Sequence, residues 1–224
     1  MSYNVWSGWS SSRAGTCGFH RGVTRITDTT LDWDRIARWT ADIAAGDVTA
    51  ITAIFAAHGA AAPGLAWNPQ PEQFDAAALR FLTTYWRGLA GPDALPHLRQ
   101  IDPLALRPAL GYVMLLDVVE NGHDFRYRLY GSMIASISGF DMTGKLLSEH
   151  PAKSYVTEFG LASYRATVTR GEPVYTERHT VGAVQASRWQ RIALPLVGDD
   201  GAIVRIMAGT APIARDGRTL RAKF

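Results

Sequence analysis

The first regular pattern of apolar residues along the chain has the period of an amphipathic helix. Its members lie three or four residues apart and share one helix face: Trp33, Ile36, Trp39 and Ile43. Asp47 then precedes an Ala-rich stretch over 48–58 that stops at Gly59, which predicts a second helix with an N-cap and an end signal. The stretch 60–71 holds three prolines and predicts a linker, after which the apolar spacing predicts a third helix over 73–89.

After Gly111 the pattern takes the period of strands. Residues 112–119 are mostly apolar, residues 124–130 alternate, and the Asn121-Gly122 pair between them is typical of a two-residue hairpin. The remaining predicted elements, one long helix and three strands, occupy 152–170, 173–181, 188–197 and 203–209. Because neighbouring strands can all pair without long crossovers, the order predicts an α+β fold: a five-stranded antiparallel sheet with helices on one face and an N-terminal helical extension.

Composition is that of an ordinary globular protein. The 224 residues are 47% hydrophobic and 19% charged, which suits one large domain, or one ordinary domain plus an extension, with a sizeable core. Cys17 is the single cysteine, so the chain has no internal disulfide and no multi-cysteine metal site. The sequence has no apolar run long enough for a membrane span and no secretory signal at its start. We therefore expect a cytoplasmic protein without a membrane partner.

The formal net charge of +3 does not predict a nucleic-acid partner. The final segment 215–224 carries four basic side chains and one acidic, which equals the whole excess, and a basic terminus is most simply a solvated tail. Arg126 and Arg128 alternate with apolar residues and are typical of a solvated strand face.

Motifs of catalysis are missing from the sequence. It has no nucleophile elbow, no dinucleotide-binding or phosphate-binding glycine loop, and its six histidines are too far apart to form a ligand pair on one helix. We therefore expect binding rather than turnover.

Several short strings resemble a known family. They are LRFLTTYW at 79–86, Asp102-Pro103, Asp117-Val118, FRYRLYG at 125–131, GFDMTGK at 139–145 and RIALPLVGDDG at 191–201. Together with the order of elements, they make the chain similar to a PAS domain, in particular to a PAS-like family common in alphaproteobacteria. The resemblance covers about 75–212, and it departs from the family's Gly-Thr pair at Gly131-Ser132, which keeps the hydroxyl.

The resemblance implies a stand-alone sensor or regulator in signal transduction that binds a small ligand, a protein partner or both. PAS domains enclose a cavity between the sheet and a helical cover, and they dimerise through helices that flank the core, so a homodimer or a signalling partner is expected. Some bind haem through a histidine, which makes His150 and His179 candidate ligands, although a capping or solvent-facing role is the simpler interpretation of both. The alternative function is a constitutive interaction scaffold that holds no ligand.

The candidate ligand-binding residues are those that the strand alternation and the helical cover direct toward the cavity. They are Phe125, Tyr127, Leu129, Phe140, Tyr155, Phe159, Gln190 and Ile192. Large apolar side chains of this kind also simply fill a core. A second aromatic set predicts either packing of the N-terminal helices onto the outer face of the sheet or a dimer contact: Trp33, Trp39, Phe81, Tyr85, Trp86 and Trp189.

These patterns divide the chain into four segments. We predict an irregular leader over 1–28, a helical extension with its linker over 29–70, a PAS-like domain over 71–214 and a basic tail over 215–224.

Overall fold

The computed structural model describes residues 30–91, 94–182 and 186–221. The leader predicted over 1–28, including Cys17, lies outside these residues, as does the end of the predicted basic tail. Within the described stretches, no helix has both the length and the apolar character needed to cross a membrane.

The described residues form five α-helices and six strands, whose arrangement confirms the predicted α+β class. The helices are α1 (Trp33–Ala45), α2 (Thr49–Ala57), α3 (Ala77–Leu89), α4 (Ser132–Ser138) and α5 (Tyr155–Arg170). The strands are β1 (Gly64–Trp67), β2 (Val113–Val119), β3 (Asp124–Tyr130), β4 (Val174–His179), β5 (Arg188–Val197) and β6 (Ile203–Ile213). Short 3-10 helices occupy connections at Pro71–Gln73, Leu98–Gln100, Arg107–Tyr112, Glu120–Gly122 and Leu147–Glu149.

All six strands belong to one antiparallel sheet with the order β1-β4-β5-β6-β2-β3. The additional strand is β1, which lies inside the stretch predicted as a linker and pairs with β4 at the sheet edge. Pro63 and Pro69 flank β1 without interrupting it, so its backbone amides remain available for pairing. Two of the three prolines of 60–71 therefore flank an edge strand, and the third, Pro71, begins a 3-10 helix.

Helices cover both faces of the sheet, whereas the pattern predicted one. The inner face, as we call it, packs against α4 and α5, and the outer face packs against α3. α3 comes closest at Gly209 of β6, where an added Cβ would lie 2.6 Å from Leu79 and from Leu82. The missing side chain at Gly209 gives α3 room to lie directly on the outer face.

The turn between β2 and β3 is longer than predicted. Val119 pairs with Asp124, which leaves a connection of four residues rather than two. Glu120, Asn121 and Gly122 all take positive φ, at 49°, 55° and 88°. The Asn-Gly pair thus supplies left-handed backbone as predicted, but within a wider turn.

The N-terminal extension packs on α5. Asp32 caps α1 by accepting the Arg35 backbone N–H at 2.8 Å, and the helix ends at Gly46 with φ of 81°. The buried face of α1 contains three of the four predicted residues: Ile36, Trp39 and Ile43. Trp33 is 37% exposed.

A buried carboxylate of α5 holds the start of α1. Glu158 accepts hydrogen bonds from the Asp32 backbone N–H at 2.9 Å and from Arg35 Nε and Nη2 at 2.6 and 2.9 Å. Bidentate arginine–carboxylate pairs of this kind combine strength with a fixed geometry. The position of α1 is therefore tied directly to α5.

Two tryptophans of the second aromatic set are used within the chain. Trp39 is buried between α1 and its neighbours, and Trp86 is buried on α3, where its Nε1 donates to the Pro195 carbonyl at 2.9 Å. Phe81 and Tyr85 are half-buried beside the outer-face core. Trp86 therefore packs on the outer face, one of the two predicted roles, whereas Trp39 belongs to the inner-face core, which corrects its predicted placement.

Candidate functional site

A cavity of about 270 Å³ lies between the inner face of the sheet and its helical cover. The floor is formed by five strands and includes Met114, Tyr127, Arg178, Arg191 and Thr210. The cover is formed by α4, the Leu147–Glu149 helix and the start of α5, and includes Ile134, Leu147 and Val156. Pockets for drug-sized ligands measure about 300–1,000 Å³, so this space suits a small organic molecule.

A β-bulge in β3 shapes one end of the floor. Leu115 of β2 pairs with Leu129, but the next residue of β2 pairs with Tyr127, so Arg128 is the extra residue. A bulge of this kind reverses the alternation of side chains along the strand. Tyr127 and Tyr130 consequently both line the cavity, while Leu129 packs with the outer-face core.

The GFDMTGK segment closes the rim next to Tyr127. The Gly144 N–H donates to the Tyr127 carbonyl at 2.7 Å, and the Tyr127 N–H donates to the Lys145 carbonyl at 2.9 Å. Asp141 accepts from the backbone N–H and the hydroxyl of Thr143, and these hydrogen bonds lower the pKa of Asp141. The segment is thereby fastened to β3, and Phe140 lies at the cavity wall.

The part of the cavity floor formed by β4 and β5 carries two arginines. Arg191 of β5 donates from Nε to Thr210 Oγ1 at 3.2 Å, and its guanidinium lies 5.4 Å from the centre of the Tyr164 ring. Arg178 of β4 lies over Trp189, with 5.4 Å between the guanidinium carbon and the ring centre. These cation–π contacts hold Arg178 against a strand residue and Arg191 against a residue of α5.

The hydrogen-bonding groups of the cavity floor are mostly donors. Burial, together with repulsion from Arg191, lowers the pKa of Arg178 to about 10, which leaves it protonated at neutral pH. Burial raises the pKa of the Tyr127 and Tyr130 hydroxyls, so both stay neutral and can donate a hydrogen bond. No Asp or Glu is among the residues that line the cavity in the described part of the chain.

His150 also lines the cavity. Its Nδ1 lies 3.1 Å from both the backbone nitrogen and the carbonyl oxygen of Ala152, and its ring meets the edge of Phe140 with 4.8 Å between centroids. Burial lowers the pKa of His150, which favours the uncharged ring. His179, the other candidate haem ligand, is an exposed residue at the end of β4 and does not line the cavity.

The residues present do not fit a haem. The cavity of about 270 Å³ is smaller than the pockets of drug-sized ligands, and a haem is at least as large as those. Across the described stretches there is also no group of three or more His, Cys, Asp or Glu side chains arranged to hold a metal ion.

The predicted site residues separate into three groups. Tyr127 and Phe140 line the cavity, and Phe159 borders a gap of about 10 Å³ next to Arg178 and Arg191. Behind the cavity, Phe125 packs against Tyr164 in the core, and Tyr155 stacks on His58 of the chain after α2. Leu129, Gln190 and Ile192 lie on the outer face, so the inward orientation predicted for these three is wrong.

Gln190 has a clear role on the outer face. It is buried, its carbonyl oxygen accepts the Asp75 backbone N–H at 3.0 Å, and its amide donates to Asp75 and Glu177 at 2.8 and 3.0 Å. β5 is covered on both faces, and its apolar residues therefore occupy both sides. Alternation alone does not tell which side of such a strand faces the cavity.

The residues that sequence reasoning missed are the polar ones on the inner face. Arg191 and Thr210 are opposite each other on β5 and β6, and Arg178 is on β4. The available signal was a pair of arginines in predicted strands, because arginine is depleted from buried positions unless it has a partner. This signal can be interpreted only when the enclosed face of the sheet is known.

A family model for the PAS domain matches residues 74–209. The matched stretch is more than half of the chain, and it contains every residue lining the cavity except Thr210. No curated protein and no solved structure matches the chain. The antiparallel sheet, the enclosed inner face and this match agree, and the chain belongs to the PAS domain family.

Proposed function

We propose that this PAS domain binds a small molecule in the inner-face cavity and acts as a non-enzymatic sensor in signal transduction. The observation that supports this is the cavity itself, about 270 Å³ of space on an inner face that is elsewhere packed with buried side chains. Small-molecule pockets combine apolar walls with a few polar groups that fix the orientation of the ligand. The cavity has both apolar and polar lining residues.

The helix α5 connects the cavity with the N-terminal helices. Val156 and Gly160 of α5 face the cavity, whereas Glu158 of the same helix binds Arg35 of α1. A ligand that prefers one position of α5 thereby biases the docking of α1, provided that its affinity differs between the two positions. This route explains how occupancy of an internal cavity changes a surface that a partner protein contacts.

A pair of serine variants on α4 tests the proposal. Ser138 lines the cavity and Ser136 is exposed on the same short helix, so Ser138→Trp fills the space while Ser136→Trp makes the same change outside it. The purified proteins are screened against a small-molecule library by ligand-observed NMR, and extracts of wild-type protein are analysed by mass spectrometry. We expect binders of the wild type to bind Ser136→Trp and to be lost with Ser138→Trp.

Two results would count against the proposal. Equal binding to both variants would place the site outside the cavity. The alternative function, a constitutive interaction scaffold, predicts no co-purifying compound and no binder in the library.

A further inference from the structure

The arginines of the sheet differ in whether they have acidic partners. On the outer face, Arg188 pairs with Asp75 at 2.7 Å and with Glu177 at 2.8 Å. Arg128 and Arg205 both pair with Asp117 near the far edge. Each of these guanidiniums therefore has a carboxylate within ion-pair distance.

The two cavity arginines have no such partner. Across the described residues, neither Arg178 nor Arg191 forms a salt bridge, although both are half-buried and line the cavity. Glu177 is adjacent to Arg178 in sequence but points to the opposite face, where Arg188 and Gln190 occupy its carboxylate. A guanidinium taken out of water without a counter-charge is costly, and buried charges are usually paired.

The strand register brings the two guanidiniums together. Arg178 pairs with Trp189 and Thr176 pairs with Arg191, so the two arginines are diagonal neighbours on the inner face of β4 and β5. Diagonal positions on paired strands are about 7–8 Å apart, which long side chains can span. Both side chains line the cavity and Arg191 repels the charge of Arg178, so an anion between the two guanidiniums would relieve that repulsion.

We propose that the cavity recognises a small organic oxyanion, a carboxylate or phosphate on an apolar body, whose anionic end binds Arg191 and Arg178. The planar guanidinium carries five donors in a fork that matches both kinds of oxyanion. Thr210, Tyr127 and Tyr130 line the same cavity, and their hydroxyls can act as further donors. Met114, Ile134 and Leu147 provide the apolar side for the rest of the molecule.

Gly160 of α5 leaves room for the guanidinium of Arg191. A Cβ added at this residue would lie 2.9 Å from Arg191 Nη1, so the guanidinium occupies space that any other residue would fill. Gly160→Ala is therefore a variant that displaces the guanidinium without removing its charge. Because alanine is the better helix former, the fold of α5 should tolerate the change.

The inference rests on the proposed ligand-binding function, and its test uses matched probes. Benzoate and hexanoate are compared with the neutral isosteres benzamide and hexanamide, and phenyl phosphate represents the phosphate esters. Binding is measured by isothermal titration and ligand-observed NMR on the full chain. We expect at least one oxyanion probe to bind about 10-fold or more tightly than its neutral counterpart, because charge-assisted hydrogen bonds distinguish them.

The variants are Arg191→Gln, Arg178→Gln and Gly160→Ala, with Arg38→Gln as the charge-matched control on the exposed side of α1. We expect affinity for the oxyanion probe to fall about 10-fold or more in the first two and to fall measurably in Gly160→Ala, with no change in the control. Circular dichroism checks that each variant folds, and Arg191→Lys, which keeps the charge but not the fork, should restore part of the affinity.

The outcomes distinguish failure of the oxyanion inference from failure of small-molecule binding as a whole. If neutral and anionic probes bind equally and the arginine variants bind like wild type, the oxyanion inference is overturned while small-molecule binding stands. If only phenyl phosphate binds, the inference holds with phosphate as the head group. If no probe, library compound or co-purified molecule binds, both the inference and the proposed function fail.

Discussion

The ion pair between Arg35 of α1 and Glu158 of α5 gives the most quantitative stability prediction. The side chains are 23% and 2% exposed, and the carboxylate accepts two hydrogen bonds from the guanidinium at 2.6 and 2.9 Å. Removing one partner of a buried pair costs about 3–5 kcal/mol because the other charge is left uncompensated. Solvent screening at Arg35 favours the lower part of this range, so we expect Glu158→Ala to cost about 3 kcal/mol.

A double-mutant cycle isolates the pair from the other contacts of each residue. Glu158→Ala, Arg35→Ala and the double variant are unfolded in urea, and the free energy of unfolding is followed by circular dichroism. Asp32 also lies 3.7 Å from Arg35, but a contact present in both halves of the cycle cancels. We expect a coupling energy of about 2 kcal/mol or more for the two charge-assisted hydrogen bonds.

The exposed pair of Arg99 and Asp199 is the matched control. Its side chains are 75% and 66% exposed, and surface ion pairs contribute about 0.2–1 kcal/mol. If the coupling energy of Arg35 with Glu158 were no larger than that of the control pair, the reasoning about burial would be refuted, and α1 would not depend on α5 in the way described above.

Three further predictions concern the cavity and the core, and all use urea denaturation. Burial lowers the pKa of His150 below its usual 6.5, so the unfolded chain binds more protons than the folded protein and stability falls as pH drops through about 6.5; His150→Gln should reduce the loss measured between about pH 7.5 and about pH 5.5. Gly131→Ala would place a Cβ 2.5 Å from the Gly111 carbonyl oxygen, and we expect it to destabilise the protein by about 1–3 kcal/mol. Trp86→Phe removes the donor to the buried Pro195 carbonyl, and we expect a cost of about 1–3 kcal/mol.

Each of these changes has a control or a contrary outcome. An unchanged pH dependence in His150→Gln would show that this imidazole does not contribute to the loss at low pH. In Gly88→Ala on α3 the new Cβ meets nothing within 4 Å, so we expect a gain of about 0.5–1 kcal/mol instead of a loss. Trp33→Phe changes an exposed indole, and an effect as large as that of Trp86→Phe would contradict the hydrogen-bond explanation.

Local patterns predicted most helices and strands because they depend on neighbouring residues. The spacing of Ile36, Trp39 and Ile43 identified the buried face of α1, and the Asn121-Gly122 pair marked the turn after β2. The FRYRLYG string is explained in part by Gly131, whose missing side chain lets β3 leave the sheet against the backbone of Gly111. These features follow from backbone sterics and apolar periodicity, which act over a few residues.

Face assignments were less predictable because they depend on distant parts of the chain. Alternation predicts that the side chain of Leu129 faces inward, but the bulge at Arg128 turns it outward. The pattern also predicts that Gln190 and Ile192 face inward, but the enclosed face of β5 is formed by Trp189 and Arg191. A strand covered on both faces has no polar side to show its orientation.

The sequence by itself determined the order of elements, the α+β class and the resemblance to PAS domains, because each depends on local spacing and short motifs. The tertiary structure alone decided that Arg178 and Arg191 share the cavity floor while Glu177, the acidic neighbour of Arg178 in sequence, faces the other side of the sheet. Charge pairing is a property of side chains brought together in space, and it depends on register and on which face is covered. The chemistry proposed for this cavity is therefore visible only in the folded chain.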